Sequence, residues 1–176
     1  ISVGSIHNLA LNNSGSSSYI DTSSNLSTNL VAGAHYTLQL WSGARTTHNT
    51  FAVFIDFNGD GDFYDADESV IQFPEVNYAF YPMNYTFQVP ATVGNLVSRM
   101  RVVEVYDTTA QLILQPCGNY QYGQTQDFKI VISTTPTYTI CSTDTVSNCN
   151  GTITDGSGPS ANYSTNQYCT WLIKAP

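Results

Sequence analysis

Runs of β-branched and aromatic residues, each closed off by Gly, Pro, Asn or Ser, leave this chain few ways to build a core. Tyr36–Trp41, Phe51–Phe57, Tyr85–Val89, Ser98–Val105 and Phe128–Ile132 alternate or run apolar as strands do. No segment sustains the apolar stripe of an amphipathic helix, and only Leu9–Leu11 and Asp65–Gln72 have room for a short helical turn. Short strands spaced by turn residues predict an all-β fold, an antiparallel β-sandwich or jelly roll. With 176 residues the chain is long enough to bury a proper core.

The stretch richest in chemistry is D-F-N-G-D-G-D-F-Y-D-A-D-E, from Asp56 to Glu68. Asp56, Asn58 and Asp60 take the first, third and fifth positions of a calcium loop. Gly61 takes the sixth, where a sharp turn is needed, Asp62 continues the alternation, and Asp67 falls at the twelfth. A bidentate Glu is usual at that last position. Here Asp67 stands in it with Glu68 next, and either closes the shell. Ca2+ is a hard cation that takes about six to eight oxygens, and carboxylates this dense repel one another without one. Turn formation alone accounts for Asn-Gly and Asp-Gly pairs but not for an alternating acidic series. The strand-like run before the loop argues for a calcium-binding turn between strands at one end of the fold, and against a helix-pair sensor.

Charged residues are only 10% of the chain, so Ser, Thr, Asn, Gln and Tyr must cover its surface, an extracellular character. Thirteen acidic residues against five basic ones give a net charge of -8, which opposes nucleic acid and anionic membranes as partners. No apolar run is long enough to span a membrane, and Ile1 does not begin a signal-peptide pattern; the expectation is a mature secreted protein. Cys117, Cys141, Cys149 and Cys169 suit two disulfides, with three pairings open; the absence of C-x-x-C or a nearby His argues against zinc. Sequons at Asn12, Asn25, Asn84, Asn150 and Asn162 are candidate glycosylation sites.

Catalytic signatures are missing. His7, His35 and His48 stand in no nucleophile or metal motif, and no G-x-S-x-G, H-E-x-x-H or phosphate-cradling glycine loop occurs, so the chain is expected not to be an enzyme. Glu104, Asp107 and Asp127 are expected to be solvated or bonded to Arg99 or Arg101 rather than paired for glycoside cleavage. Tyr78, Tyr81, Tyr85, Tyr120, Tyr122, Trp41 and Trp171 offer rings for sugar stacking or a protein interface, most of them as half-buried strand residues.

Ser133-Thr134-Thr135-Pro136-Thr137 reads as a linker dividing residues 1–134 from a segment 135–176 that is too short to form a core without disulfides or neighbours. Across the first part, Tyr19-Ile20-Asp21, the run Val53–Phe63 on to Glu68-Ser69-Val70, Val89-Pro90, Arg99-Met100-Arg101-Val102, Pro116-Cys117-Gly118 and Gly123–Phe128 occur in an order and spacing that resembles the GEVED domain, a β-rich module of secreted multidomain proteins. Both Glu positions of that family's signature are Gln here, Gln124 and Gln126, and its final Tyr is Phe128. Any ligand role of those carboxylates is therefore weakened, and Asp127 alone keeps its charge.

From about residue 138, the run Cys149–Pro159, Asn162-Tyr163-Ser164 and Cys169–Ile173 is similar to the opening strands of a CUB domain. This resemblance implies a Cys149–Cys169 disulfide, leaving Cys117 to pair with Cys141. Half a CUB sandwich exposes an apolar face and open strand edges. Either the chain continues past Pro176, or another copy completes the sheet by strand addition and builds a filament. The expected function is a non-catalytic, extracellular, calcium-stabilised structural or adhesive module, self-associating or binding other cell-surface proteins. The alternative is an accessory module of a secreted enzyme that binds glycan or substrate.

Overall fold

Twelve strands and no helix make up the regular structure of the described residues, which in this computed structural model are 1–4, 6–7, 18–41, 48–76, 82–106, 113–134, 137–139 and 152–154. In chain order they are β1 (Ser2–Val3), β2 (Ile6–His7), β3 (Ser18–Asp21), β4 (Ser27–Val31), β5 (His35–Leu40), β6 (Asn49–Ile55), β7 (Ser69–Val76), β8 (Met83–Gln88), β9 (Leu96–Tyr106), β10 (Gly123–Ser133), β11 (Thr137–Thr139) and β12 (Thr152–Thr154). The chain divides into two compact units, Ile1–Ser133 and Thr134–Pro176.

The first unit is a β-sandwich. One sheet has the order β2-β1-β5-β8; the other runs β3-β10-β9-β6-β7, with β4 also pairing β10. All five strands expected from the apolar runs are present, several of them longer than the runs themselves. The pairing is antiparallel except along one edge, where β3 and β4 both run parallel to β10, against Gln124–Asp127 and Lys129–Ser133. The chain bows outward between them, held by Thr22 N–H and the Thr22 hydroxyl donating to the Asp127 carbonyl at 2.9 and 2.6 Å.

Leu38, Leu40, Met83 and Phe87 of the first sheet face Leu30, Phe51, Val53, Ile55, Met100, Phe128 and Ile130 of the second in a single core. The outer face of the second sheet is covered too. Ala52, Phe54, Val103 and Val105 pack there beneath Phe63 and Leu114, which come from the connections on either side. Strand β6 is therefore buried at every position, which is why it runs apolar from Phe51 to Ile55 and does not alternate.

The short helical turn with room at Asp65–Gln72 gives way to strand: Ser69–Gln72 opens β7 and pairs with β6. Pro74 within β7 is tolerated because β7 is an edge strand with β6 as its sheet neighbour. In the second unit, β11 and β12 pair in parallel. Cys141, Cys149, Cys169, Asn12, Asn150, Asn162, Asp107, Tyr78, Tyr81, Trp171, the Leu9–Leu11 turn and most of the CUB-like segment lie outside the described residues.

Candidate functional site

The Asp56–Glu68 stretch is the connection between β6 and its antiparallel neighbour β7. Its framework is a series of side-chain caps on its own backbone. Asp56, 5% exposed, accepts from the N–H groups of Gly59 at 2.6 Å and Gly61 at 3.2 Å. Asn58 Oδ1 accepts from Asp60 N–H, Asp60 Oδ1 from Asp62 N–H, and Asp62 Oδ1 from Tyr64 N–H, all at 2.9–3.0 Å. The alternating acidic pattern is thus a run of Asx turns. Gly59 and Gly61 have φ of 77° and 95°, a left-handed backbone that other residues adopt only with strain, which accounts for glycine at both positions.

This winding brings the carboxylates of Asp60, Asp62 and Asp65 together, all exposed, with one oxygen from each within 4.8 Å of the others. Asn58 Nδ2 donates to Asp60 Oδ2 at 2.9 Å and to Asp65 Oδ2 at 2.6 Å, so a partial positive charge already sits between two of these acids. Backbone N–H groups and the Asn58 amide hold the Asp60 carboxyl below its usual range. The donor set is all hard oxygen, the chemistry Ca2+ prefers, and its exposure leaves room for water to complete the shell.

The six expected ligands therefore divide into groups. Asp60 and Asp62 converge, and Asn58 touches the cluster. Asp56 turns both oxygens onto backbone N–H groups, and Asp67 is exposed outside the carboxylate cluster. Glu68, 1% exposed, accepts from Phe57 N–H at 2.9 Å and fixes the closing turn to the opening one. Asp65 was missed because spacing from Asp56 places it at no standard ligand position; its carboxylate arrives through the turn at residues 65–68, where Glu68 N–H bonds Asp65 C=O at 3.2 Å.

Burial pushes the Glu68 carboxyl above its ordinary value, against the pull of the Phe57 and Asp65 N–H groups. A carboxyl with a raised pKa in the folded state binds its proton more tightly there than in the unfolded chain. Its contribution to stability is present below the unfolded value and is lost as pH rises through the folded one. In chelator, Glu68→Gln is expected to remove this loss, so that stability falls less between pH 4.5 and neutrality than in the parent. Parallel urea-midpoint profiles for the two proteins over that range would refute the assignment.

Beside the loop, on the outer face of the second sheet, lies a charged cluster centred on Arg101. Asp127 is fully buried, and Arg101 grips it through Nε–Oδ1 and NH2–Oδ2 contacts, both 2.7 Å, a bidentate geometry. The same guanidinium donates to the Pro116 carbonyl at 3.1 Å and lies over the rings of Phe63 and Tyr19, at 4.9 and 5.7 Å from their centroids. The Tyr19 hydroxyl completes the set by donating to Asp127 Oδ2 at 2.9 Å. The expected bond between an inner carboxylate and Arg99 or Arg101 is made here, principally by Arg101. Gln124 and Gln126 point to the opposite face, and Gln126 Nε2 donates to Gln124 Oε1 at 2.7 Å. The altered signature positions thus face away from the acidic loop.

Of the remaining candidates, Cys117 is exposed and forms no disulfide among the described residues; Cys141, expected to pair with it, lies outside them. Asn25 lies exposed in the bow between β3 and β4; Asn84 is exposed on β8 and accepts from Gln39 Nε2 at 2.8 Å. No helix among the described residues is long and apolar enough to cross a membrane.

The GEVED domain family model matches residues 50–131, from β6 into β10. No curated protein matches the chain. The matched stretch contains the acidic loop, Arg101, Pro116 and Asp127. Tyr19, which precedes it, joins the same cluster through Asp127. Residues far apart in the sequence resemblance thus meet at one side chain, Arg101.

Proposed function

We propose that this chain is a non-catalytic, extracellular, calcium-stabilised β-sandwich module with a structural or adhesive role. The observation that carries the reading is the convergence of Asp60, Asp62 and Asp65 on a loop whose two ends are pinned by buried Asp56 and Glu68. When bound, Ca2+ offsets the mutual repulsion of the three carboxylates and ties β6 to β7 at the end where the loop joins them. Asp60, Asp62 and Asp65 would hold it, while Asp56 and Glu68 keep the backbone wound. A surface poor in charge and rich in hydroxyl and amide groups supports an extracellular setting.

Asp60→Ala is the direct test. It is expected to lower the melting temperature in calcium and to erase the difference between calcium and chelator that the parent shows. A variant that keeps the full calcium response would sink the ligand assignment.

A further inference from the structure

We propose that the cleft between the acidic loop and the outer face of β9 and β10 binds an acidic sugar, with its carboxylate held by Arg99 and Lys129. The cleft encloses about 660 Å³, within the range of small-ligand sites. The whole chain has five Lys and Arg residues, and three of them, Arg99, Arg101 and Lys129, line this one cleft. So high a share of the cations in a protein of net charge -8 is the reverse of what an even distribution would give.

Arg101 is committed to Asp127, but the other two are held loosely. Arg99 and Lys129 are directly opposed in the antiparallel register of β9 and β10, a like-charge pair that costs the sheet stability. The Arg99 side chain is 52% exposed, and its contacts to Asp127 and Asp21, 3.6 and 3.8 Å, exceed hydrogen-bonding distance. Among the described residues Lys129 has no carboxylate within ion-pairing distance. Arg101 neutralises Asp127 and Asp21 stands against Arg99, while Asp56 and Asp62 lie on the loop side of the cleft, so the attraction for a carboxylate is local to Arg99 and Lys129 on the strand side.

The other walls specify the rest of the ligand. Asp62 and Ser23 line the cleft, and Val97, 65% exposed, lies at its side. An acidic peptide would bring further negative charge against Asp62, whereas a sugar acid offers hydroxyl donors to it and an apolar ring face to Val97. This inference goes beyond the calcium reading, because both cations stand on strands and not on the loop.

The test is an NMR titration of the full chain with glucuronate, its neutral methyl ester and a tri-aspartate peptide, each in calcium and in chelator. Glucuronate is expected to shift the resonances of residues lining the cleft, and the ester to bind about tenfold more weakly or less. Arg99→Gln with Lys129→Gln is expected to weaken glucuronate binding by about tenfold or more while the parent's cooperative melting is kept. Both residues are outside the core, so the double variant is expected to fold; each single variant, expected to show a smaller loss, provides the same comparison. No glucuronate binding in either buffer, equal binding by parent and variants, or equal binding of the ester overturns the proposal. Binding of the peptide without glucuronate overturns it in favour of a protein partner. None of these outcomes depends on whether calcium changes the melting temperature.

Discussion

Arg101→Met is expected to lower the stability of the β-sandwich unit by about 3–5 kcal/mol, read as a shift in urea midpoint. The loss comes less from the missing attraction than from what stays behind. Asp127 is fully buried, and without the guanidinium its charge keeps, among the described residues, only the Tyr19 hydroxyl and Arg99, the latter at 3.6 Å. Pairing with Asp127 raises the Arg101 pKa further above its already high value, so in the parent the guanidinium keeps its charge. Arg101→Met with Asp127→Leu is expected to recover much of the loss, because a desolvated ion pair replaced by apolar side chains removes both the attraction and the desolvation cost. A single-variant loss below about 1 kcal/mol would place Arg101 among ordinary surface ion pairs and contradict the account of the cluster.

Phe63→Ala is expected to cost about 3 kcal/mol, at the lower end of the range for removing a buried aromatic ring. Phe63 is 6% exposed, packs on Phe54 with ring centroids 6.4 Å apart, and carries the Arg101 guanidinium on its face. It is the apolar residue by which the acidic loop grips the outer face of the sheet. Its loss is therefore expected to have a second effect that a remote core truncation lacks: a weaker calcium response, because the three carboxylates would have to be ordered on binding. Phe128→Ala, a truncation on the inner face, provides the comparison. If both variants lose stability and both keep the parent's calcium response, the loop does not depend on its anchor.

The strands legible in the sequence were those whose burial pattern is simple. Strand β6 is covered on both faces and β9 and β10 are long, so their apolar content is dense enough to be read directly. Strand β7 was illegible beyond its turn-like start because Pro74 and its polar residues obey the rules of an edge strand. Strands β3 and β4 are short edge pieces separated by the bow at Thr22–Leu26, and their parallel pairing to β10 is a property of topology that no local pattern carries. At the acidic loop, spacing identified the stretch but not the division of labour within it. Asp56 and Glu68 look like ligands in sequence, yet burial turns them onto backbone N–H groups, while Asp65 reaches the cluster through a turn. Separation in sequence likewise hid the Arg101 cluster, since Tyr19, Arg101 and Asp127 come from three different strands.

The measurement that bears most directly on the central claim is thermal melting of the full chain in calcium, in magnesium and in chelator. Calcium at about a hundred times its dissociation constant is expected to stabilise the fold by about 2.7 kcal/mol, and magnesium by much less, since it demands a stricter octahedral shell than this loop provides. Identical melting in calcium and chelator would mean that the Asx-turn network holds the loop unaided, and would contradict the proposal of a calcium-stabilised module.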